Sequence, residues 1–290
     1  MSKPTASSTR LWVLLAREAP VAAIFRRGPS RHVQLITWNL ENDTFVPGQW
    51  FKGRIYERRC DLSPDGTLLI YFAATYKEPL SSWTAISKPP WFSALALWPK
   101  GDGWNGGGYF VGSHAIHLDH YPSQDQPHPD FAVNCSRICI KSLTQQHGED
   151  APVWHSTMTR DGWVRVHPGT WREHSMKNYS WQAIIPETWH KPHRTLPLRI
   201  EMLIEGLHQK NGPWYATRYR VIGPSGEEIR DLGFVDWADW DHRNDLVYAR
   251  DGSLYRQTLN MGSSSSERHL ADFSQHTFEA IESPDWAKSF

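Results

Sequence analysis

Short runs of apolar residues, separated by turn signals, follow one another along most of the chain. Residues 33–72 read VQLITWNLENDTFVPGQWFKGRIYERRCDLSPDGTLLIYF, where apolar stretches alternate with the polar turns ENDT and SPDG. This spacing predicts strands joined by tight turns, not long helices. The segment 196–208, LPLRIEMLIEGLH, fits a helix or a strand equally well. The pattern as a whole predicts an all-β protein.

The strand pattern repeats. Residues 219–249, YRVIGPSGEEIRDLGFVDWADWDHRNDLVYA, parse like 33–72, with GPSG as the hairpin turn and DHRND in place of SPDG. A poorer copy, WHSTMTRDGWVRV, covers 154–166. The turn residues Asp65, Asp161 and Asp245 lie 96 and 84 residues apart, about twice the 40–50 residues of a four-stranded propeller blade. Marked turns in alternate blades then predict a single β-propeller of five blades, or six; a two-sheet β-sandwich is the alternative.

The hairpin WNLENDTF followed by CDLSPDGTLLIYF resembles the PD40, or TolB-type, subfamily of WD40-like β-propeller repeats. The resemblance departs from the pattern at Cys60-Asp61-Leu62, where an aromatic residue usually precedes Ser63, and the later copy lacks Ser-Pro. The whole chain is also similar to uncharacterised bacterial proteins carrying RRGPS and GRIYERRCDLSPDG, which implies no activity. We expect a disordered tail over 1–10 and a propeller over 11–290, its ring closed by the C-terminal segment 268–286.

Composition narrows the class of partner. Lys plus Arg and Asp plus Glu each number 31 among 290 residues, so overall charge favours neither nucleic acid nor an anionic membrane. Three cysteines, Cys60, Cys135 and Cys139, are a poor disulfide framework and indicate a reducing compartment. The N-terminal apolar run is too short for a secretory signal. We expect a cytoplasmic protein with no membrane partner.

Motifs for catalysis and metals are weak. His117, Asp119 and His120 match half of a zinc motif of the metallo-β-lactamase type, but Ala115 stands where the first histidine belongs and His114 is one residue off. Cys135 and Cys139 are four apart, and in one strand they would share a face as buried thiols. GDGWNGGGYF, at 101–110, lacks the Lys and Ser/Thr of a phosphate loop and indicates a flexible loop. We expect no metal and no cofactor.

The basic segment KGRIYERR carries the strongest functional signal. It enters the predicted inner strand of a blade, where alternation would direct Arg58 and Arg59 to opposite faces. A buried arginine needs a partner, and Glu57 or the acidic run VDWADWD of the last blade could provide one. An inter-blade ion-pair network and a ligand-facing role both remain open.

The leading hypothesis is a non-catalytic binding module for a protein partner, because Trp, Tyr and Arg dominate protein hot spots. Its binding face would be lined by Arg54, Glu57, Arg58, Arg59, Trp83, Trp104, Asp236 and Asp239. One alternative is an enzyme acting on carbohydrate or another small polar substrate, with Asp236, Asp239 and Glu57 as acid and base. Another is single-stranded nucleic-acid binding through arginine and aromatic stacking, which the neutral net charge disfavours.

Overall fold

The fold is all-β, as the sequence predicts. The computed structural model describes residues 9–142, 148–175, 180–207, 214–260 and 266–290, and these form twenty-one strands in five sheets. The chain divides into two compact units, one made of Trp12–Thr157 with His276–Phe290 and the other of Met1–Leu11 with Met158–Gln275.

The first two sheets are meanders of consecutive antiparallel strands. The first has the order β1-β2-β3-β4, with β1 (Arg10–Leu15), β2 (Val21–Arg27), β3 (His32–Asn39) and β4 (Thr44–Lys52). The second has the order β5-β7-β8-β9, and β6 also pairs with β7; its strands are β5 (Arg54–Ile55), β6 (Asp61–Leu62), β7 (Leu69–Ala74), β8 (Ser82–Ser87) and β9 (Ala96–Pro99).

The third sheet has three strands, β10 (Gly108–Gly112), β11 (Ala115–Leu118) and β12 (Cys139–Ser142). Strand β12 runs parallel to β11, and the short helix α1 (Ala132–Cys135) lies between them in the chain. Helix α2 (Ala151–Arg160) follows, with Pro152 in its first turn, where the missing N–H costs no helical hydrogen bond.

The last two sheets are again antiparallel meanders. One contains β13 (Val164–Ser175), β14 (Ser180–Pro192), β15 (Arg199–Leu207), β16 (Tyr215–Ile222) and β17 (Glu228–Phe234). The other contains β18 (Trp237–Trp240), β19 (Leu246–Arg250), β20 (Ser253–Gln257) and β21 (Glu267–Asp272). Every strand of these two sheets pairs with its neighbour in sequence, so the hydrogen-bonded contacts are local along the chain.

The two repeated segments fold alike, which explains their similarity. In each, the hairpin (β3–β4 or β16–β17) ends one sheet and the following strand, turn and strand (β6–β7 or β18–β19) begin the next. In the SPDG turn, Gly66 takes a left-handed φ of +77°, and in DHRND the same role falls to Asn244 at +64°. Glycine and asparagine are the residues that tolerate this conformation best.

The structure decides two predictions about local structure, those for the segments 196–208 and 154–166. The ambiguous segment 196–208 contains strand β15, since its apolar side chains pack into a sheet between β14 and β16. The prediction of a strand–turn–strand unit at 154–166 is wrong. WHSTMT lies in helix α2, and only the part after the Asp161-Gly162 turn is a strand.

The chain ends also differ from expectation. Strand β1 begins at Arg10, inside the predicted tail 1–10, whose residues 1–8 lie outside the described part. In the C-terminal segment 268–286, β21 is the outer strand beside β20. Further on, His276 hydrogen-bonds Gln34 (Nδ1 to Oε1, 2.8 Å). Ring closure by this segment stays a prediction.

The apolar core of the Trp12–Thr157 unit has two clusters of buried side chains. One includes Phe25, Leu35, Leu62 and Tyr71, and the other includes Ile70, Trp98 and Phe110. Strand β7 contributes to both because its alternate side chains point to opposite faces of the sheet. Within the described residues, no helix is long and apolar enough to cross a membrane.

Candidate functional site

A bulge in the second sheet positions the arginine pair. Ile55 pairs with Ala73 and Asp61 pairs with Ile70, so residues 56–60 stand opposite only two residues of β7. The surplus forms a 3-10 turn over Glu57–Arg59. The equivalent strand β18 pairs with β19 without interruption. A bulge of this kind redirects side chains away from the alternation of a strand.

The bulge corrects the prediction that alternation separates Arg58 from Arg59. Both side chains are buried, at 9% and 1% exposure, because the chain turns at this point instead of running extended. The Arg58 guanidinium lies between two indoles, 4.6 Å from the ring centre of Trp12 and 3.8 Å from that of Trp154. Arg58 is therefore a core cation held by aromatic faces.

Arg59 is the centre of a charge network. Its Nε donates to Asp150 Oδ1 at 2.5 Å and its Nη2 donates to Glu149 Oε2 at 2.9 Å. Its Nη1 donates to the carbonyl oxygens of Gly103 (2.8 Å) and Asn105 (2.5 Å). Burial opposes the charge of Arg59, but Asp150 and Glu149 outweigh it and raise the pKa of the guanidinium. One side chain thus fixes both an acidic segment and a loop.

That loop is 101–107, the first part of the segment 101–110 that the sequence indicates as a flexible loop; the rest of the segment belongs to strand β10. Asn105, Gly106 and Gly107 take successive positive φ values of 56°, 91° and 85°. A Cβ on Gly107 would lie 2.0 Å from the carbonyl oxygen of Arg59, so only glycine fits this approach. The glycines therefore let the backbone close over the buried guanidinium.

A buried polar relay lies under the same loop. The Gly107 N–H donates to Thr84 Oγ1 at 2.8 Å, so the threonine hydroxyl is left to donate to His120 Nε2, also at 2.8 Å. His120 Nδ1 then donates to the Gln124 carbonyl at 2.7 Å. Burial lowers the pKa of His120 to about 4, which keeps the ring neutral, as this relay requires.

Asp119, next to His120, is a buried carboxyl at 6% exposure. Its Oδ1 accepts from Asn105 Nδ2 at 3.3 Å, whereas its Oδ2 is buried with no hydrogen-bond partner among the described residues. Burial raises the pKa of Asp119 to about 6, although Asn105 and the charges of Arg59 and Lys100 partly offset this. The loop therefore contacts a buried carboxyl whose pKa is raised to about 6.

Three aromatic side chains emerge around the loop. Trp104 is 64% exposed, Tyr76 57% and Tyr121 42%. The Tyr76 hydroxyl contacts that of Tyr56 and lies 3.1 Å from where a Cβ on Gly103 would stand. The Tyr121 hydroxyl donates to Asn105 Oδ1 at 3.4 Å. Residues on both sides of Trp104 thus contact one of the flanking tyrosines.

Charged groups border these rings. Arg54 is exposed and stacks on Tyr56, with its guanidinium carbon 4.4 Å from the ring centre. Asp102 accepts from the Trp104 N–H at 2.8 Å and from Lys100 Nζ at 2.9 Å. Burial acts to raise the pKa of Asp102, but these hydrogen bonds outweigh it and lower the pKa. We call Tyr76, Trp104 and Tyr121, with Arg54, Asp102 and Glu149, the Trp104 surface.

A shallow groove of about 370 Å³ adjoins this surface. Its wall includes Lys100 and Gln124, whose amide nitrogen donates to Asp102 Oδ2 at 3.3 Å. The remaining lining residues are Pro99, Gly101, Ser123, Gln126, Pro127, His128 and Pro129. Asp102 therefore accepts hydrogen bonds both from residues of the groove and from the backbone of Trp104.

The structure separates the other predicted site residues. Trp83 is half-buried and packs edge-on against Phe51 at 5.8 Å, in the core of its unit. Glu57 accepts two hydrogen bonds from Arg27 Nη1, at 3.0 and 2.9 Å. Only Arg54 and Trp104 of the predicted set lie on the Trp104 surface, with Arg59 beneath it.

Asp236 and Asp239 belong to the unit that contains β18. Asp236 Oδ2 accepts from the Leu11 N–H at 3.1 Å. Asp239 is buried and its Oδ1 accepts from Lys191 Nζ at 2.7 Å. Burial raises the pKa of Asp239 despite the neighbouring ammonium group. Both carboxylates hold backbone or side-chain groups of their own unit in place.

The side chains of the zinc-like segment have separate surroundings. Across the described residues, no group of three or more His, Cys, Asp or Glu side chains is placed to bind a metal ion. His117 faces the Tyr109 hydroxyl at 3.2 Å, His120 belongs to the buried relay, and Asp119 accepts from Asn105. The expectation of two buried thiols on one strand face is wrong for Cys139, because Cys135 ends helix α1 and is buried, whereas Cys139 begins β12 and is exposed.

Sequence reasoning missed Tyr121 and the partners of Arg59. Glu149 and Asp150 come directly before helix α2, and acidic residues there are a sign of a helix start. That signal predicts the helix, but Arg59 lies about 90 residues earlier in the chain. No protein-family model matches this chain, and no curated protein shows significant similarity to it.

Proposed function

We propose that the protein is a non-catalytic binding module that recognises a partner protein through the Trp104 surface. The observation that carries this proposal is the 64% exposure of Trp104 on a loop whose adjacent carbonyls are both bound by buried Arg59. Trp, Tyr and Arg provide most hot-spot energy. A loop held in place before binding loses little conformational entropy when a partner docks.

The alternative functions receive less support. A carbohydrate-acting enzyme would need two available carboxyls, yet Glu57 is bound by Arg27 and Asp239 is buried against Lys191. Nucleic-acid binding would need cations facing the phosphates. On the Trp104 surface, Asp102 and Glu149 are solvent-accessible, whereas Lys100 and Arg59 are buried. Arg54 is the one exposed cation of the Trp104 surface, so a phosphate backbone would meet two carboxylates and a single arginine there.

We also propose that the five sheets are the blades of a single five-bladed propeller. The chain order of the sheets and the meander within four of them support one sheet per blade. A cytoplasmic location is part of the same proposal, supported by three cysteines that are all free thiols. Small-angle scattering would test the propeller, which predicts a scattering profile of one near-globular body.

Site-specific photo-crosslinking tests the binding function. A photoreactive phenylalanine analogue replaces Trp104 in the full chain, expressed in the native host, and Trp286, which is 58% exposed, is replaced as the matched control. We expect a discrete crosslinked protein from position 104 and none of that mass from position 286. The same products from both positions, or none from position 104, would refute the proposal.

A further inference from the structure

Charges around the Trp104 surface are arranged in two layers. The outer layer contains two carboxylates, since the side chains of Asp102 and Glu149 are 44% and 39% exposed, and one cation, the exposed Arg54. The cations that pair with them lie beneath, since the Lys100 side chain is 0% exposed and that of Arg59 is 1% exposed. Arg59 also has to neutralise Asp150. A molecule approaching from solvent therefore meets Asp102 and Glu149 before it meets the cations that pair with them.

Aromatic rings next to Trp104 already hold cations. Lys100 Nζ lies 5.4 Å from the ring centre of Tyr121, and the Arg59 guanidinium carbon lies 4.5 Å from that of Tyr56. Trp104, the most exposed of the aromatic side chains here, has no such cation among the described residues. Tryptophan is the aromatic side chain that binds a cation most strongly.

We propose that the occupant of the Trp104 surface is a basic segment of the partner protein, with an arginine or lysine stacked on Trp104. The inference rests on the proposed function and names the partner's chemistry. A planar guanidinium suits both parts of the surface, because it stacks on an indole and bonds a carboxylate with its edge. Asp102, two residues before Trp104, accepts from the backbone N–H of Trp104, so a carboxylate is held on the same loop as the indole.

Arg54 allows a second test of the charge of the ligand, because its own charge is opposite to that of Glu149. It is the exposed cation of the Trp104 surface and stacks on Tyr56. An incoming basic segment is repelled by Arg54 and attracted by Glu149. Removing the charge of Glu149 should therefore weaken the binding of a basic segment, and removing that of Arg54 should strengthen it. For an acidic ligand the two effects would be reversed, and for an uncharged ligand neither substitution would change the affinity.

The test uses full-length protein labelled with ¹⁵N on tryptophan indoles and a hexa-arginine peptide as the probe. We expect the Trp104 indole signal to shift on titration, while the Trp286 signal stays in place. Glu149→Gln, which keeps an acceptor for Arg59, should weaken binding about threefold, and Arg54→Gln should strengthen it by a similar factor. A hexa-glutamate peptide should leave Trp104 unchanged.

The inference is overturned if hexa-arginine leaves the Trp104 signal in place, or if Glu149→Gln and Arg54→Gln shift affinity the same way. A folded spectrum of each variant shows that loss of binding is not unfolding. Failure of this inference can be distinguished from failure of the proposed function. If a partner crosslinks at position 104 but binds Glu149→Gln as tightly as the unaltered protein, the protein is still a binding module. In that case its ligand at this surface is not a basic segment.

Discussion

Replacing Asp119 by Asn should stabilise the protein at neutral pH, although it alters a buried hydrogen-bonded side chain. Asp119 Oδ1 accepts from Asn105, and an asparagine oxygen can do the same, while the buried Oδ2 loses no partner among the described residues. The substitution removes a charge from a site that is 6% exposed. The expected gain is the cost of ionising the carboxyl in that site.

The magnitude follows from the pKa of Asp119, raised by burial from 3.8 to about 6. Between these values the native state keeps a proton that the unfolded chain has released, so stability falls as pH rises through the window and stays lower above it. A difference of about two pH units corresponds to about 3 kcal/mol. Asp119→Asn should therefore raise the free energy of unfolding by up to about 3 kcal/mol at pH 7.5 and by about zero at pH 4.

His120 has the opposite effect in the same pH range. Burial lowers its pKa from 6.5 to about 4, so the unfolded chain takes up the proton first and stability falls as pH drops through that window. In the unaltered protein the slopes of Asp119 and His120 oppose each other. Asp119→Asn removes the contribution of Asp119 to the pH dependence of stability. The free energy of unfolding of the variant should therefore fall by about 3 kcal/mol between pH 6.5 and pH 4.

Urea unfolding at intervals from pH 4 to pH 8 measures both effects. Asp130→Asn is the matched control, because that side chain is 82% exposed and its loss should change stability by less than about 0.5 kcal/mol at any pH. If Asp119→Asn destabilises the protein more at pH 8 than at pH 4, the carboxylate makes a contact that stabilises its charge, and the expected cost of ionising it in this site is wrong.

Three further predictions concern contacts inside one or the other of the two units. Arg59→Met should destabilise by about 3–5 kcal/mol, because it leaves Asp150 and Glu149 without their buried cation; denaturant unfolding measures this, and a loss below about 1 kcal/mol would contradict it. Gly107→Ala should lower the melting temperature more than Gly101→Ala. Both glycines have a positive φ, but only at Gly107 would the added Cβ lie 2.0 Å from a backbone oxygen. Equal melting temperatures of the two variants would contradict the tight approach. Lys191→Met should destabilise at pH 7 by about 3 kcal/mol and less at low pH, where Asp239 with its raised pKa becomes protonated; a loss independent of pH would show that Lys191 acts by packing alone.

The strands and turns could be predicted because their signals are local. Alternation marks β3 and β4, and Gly66 and Asn244 mark turns that need a left-handed residue. The sequence did not reveal that ERR bulges out of its strand, because the signal for the bulge is the pairing of β5 and β6 with β7. Consecutive arginines at a strand start indicated that the segment was unusual, but not its conformation.

The candidate site was harder to predict because its contacts are distant in sequence. Arg59 bonds Asp150 from 91 residues away, and no periodic pattern connects the two. Trp104 could be selected as an aromatic residue of a predicted loop, and Arg54 as part of the basic segment KGRIYERR. Trp83 could not be assigned to the core from its sequence neighbours, since its burial depends on packing against Phe51 in the adjacent sheet.

The central claim, recognition through the Trp104 surface, is tested most directly by the affinity of the crosslinked partner. Isothermal titration calorimetry would compare the unaltered protein with Trp104→Ala and with Trp286→Ala, the control of similar exposure. We predict that Trp104→Ala weakens binding by about tenfold or more while Trp286→Ala has no effect. Equal affinities for all three proteins would contradict the account.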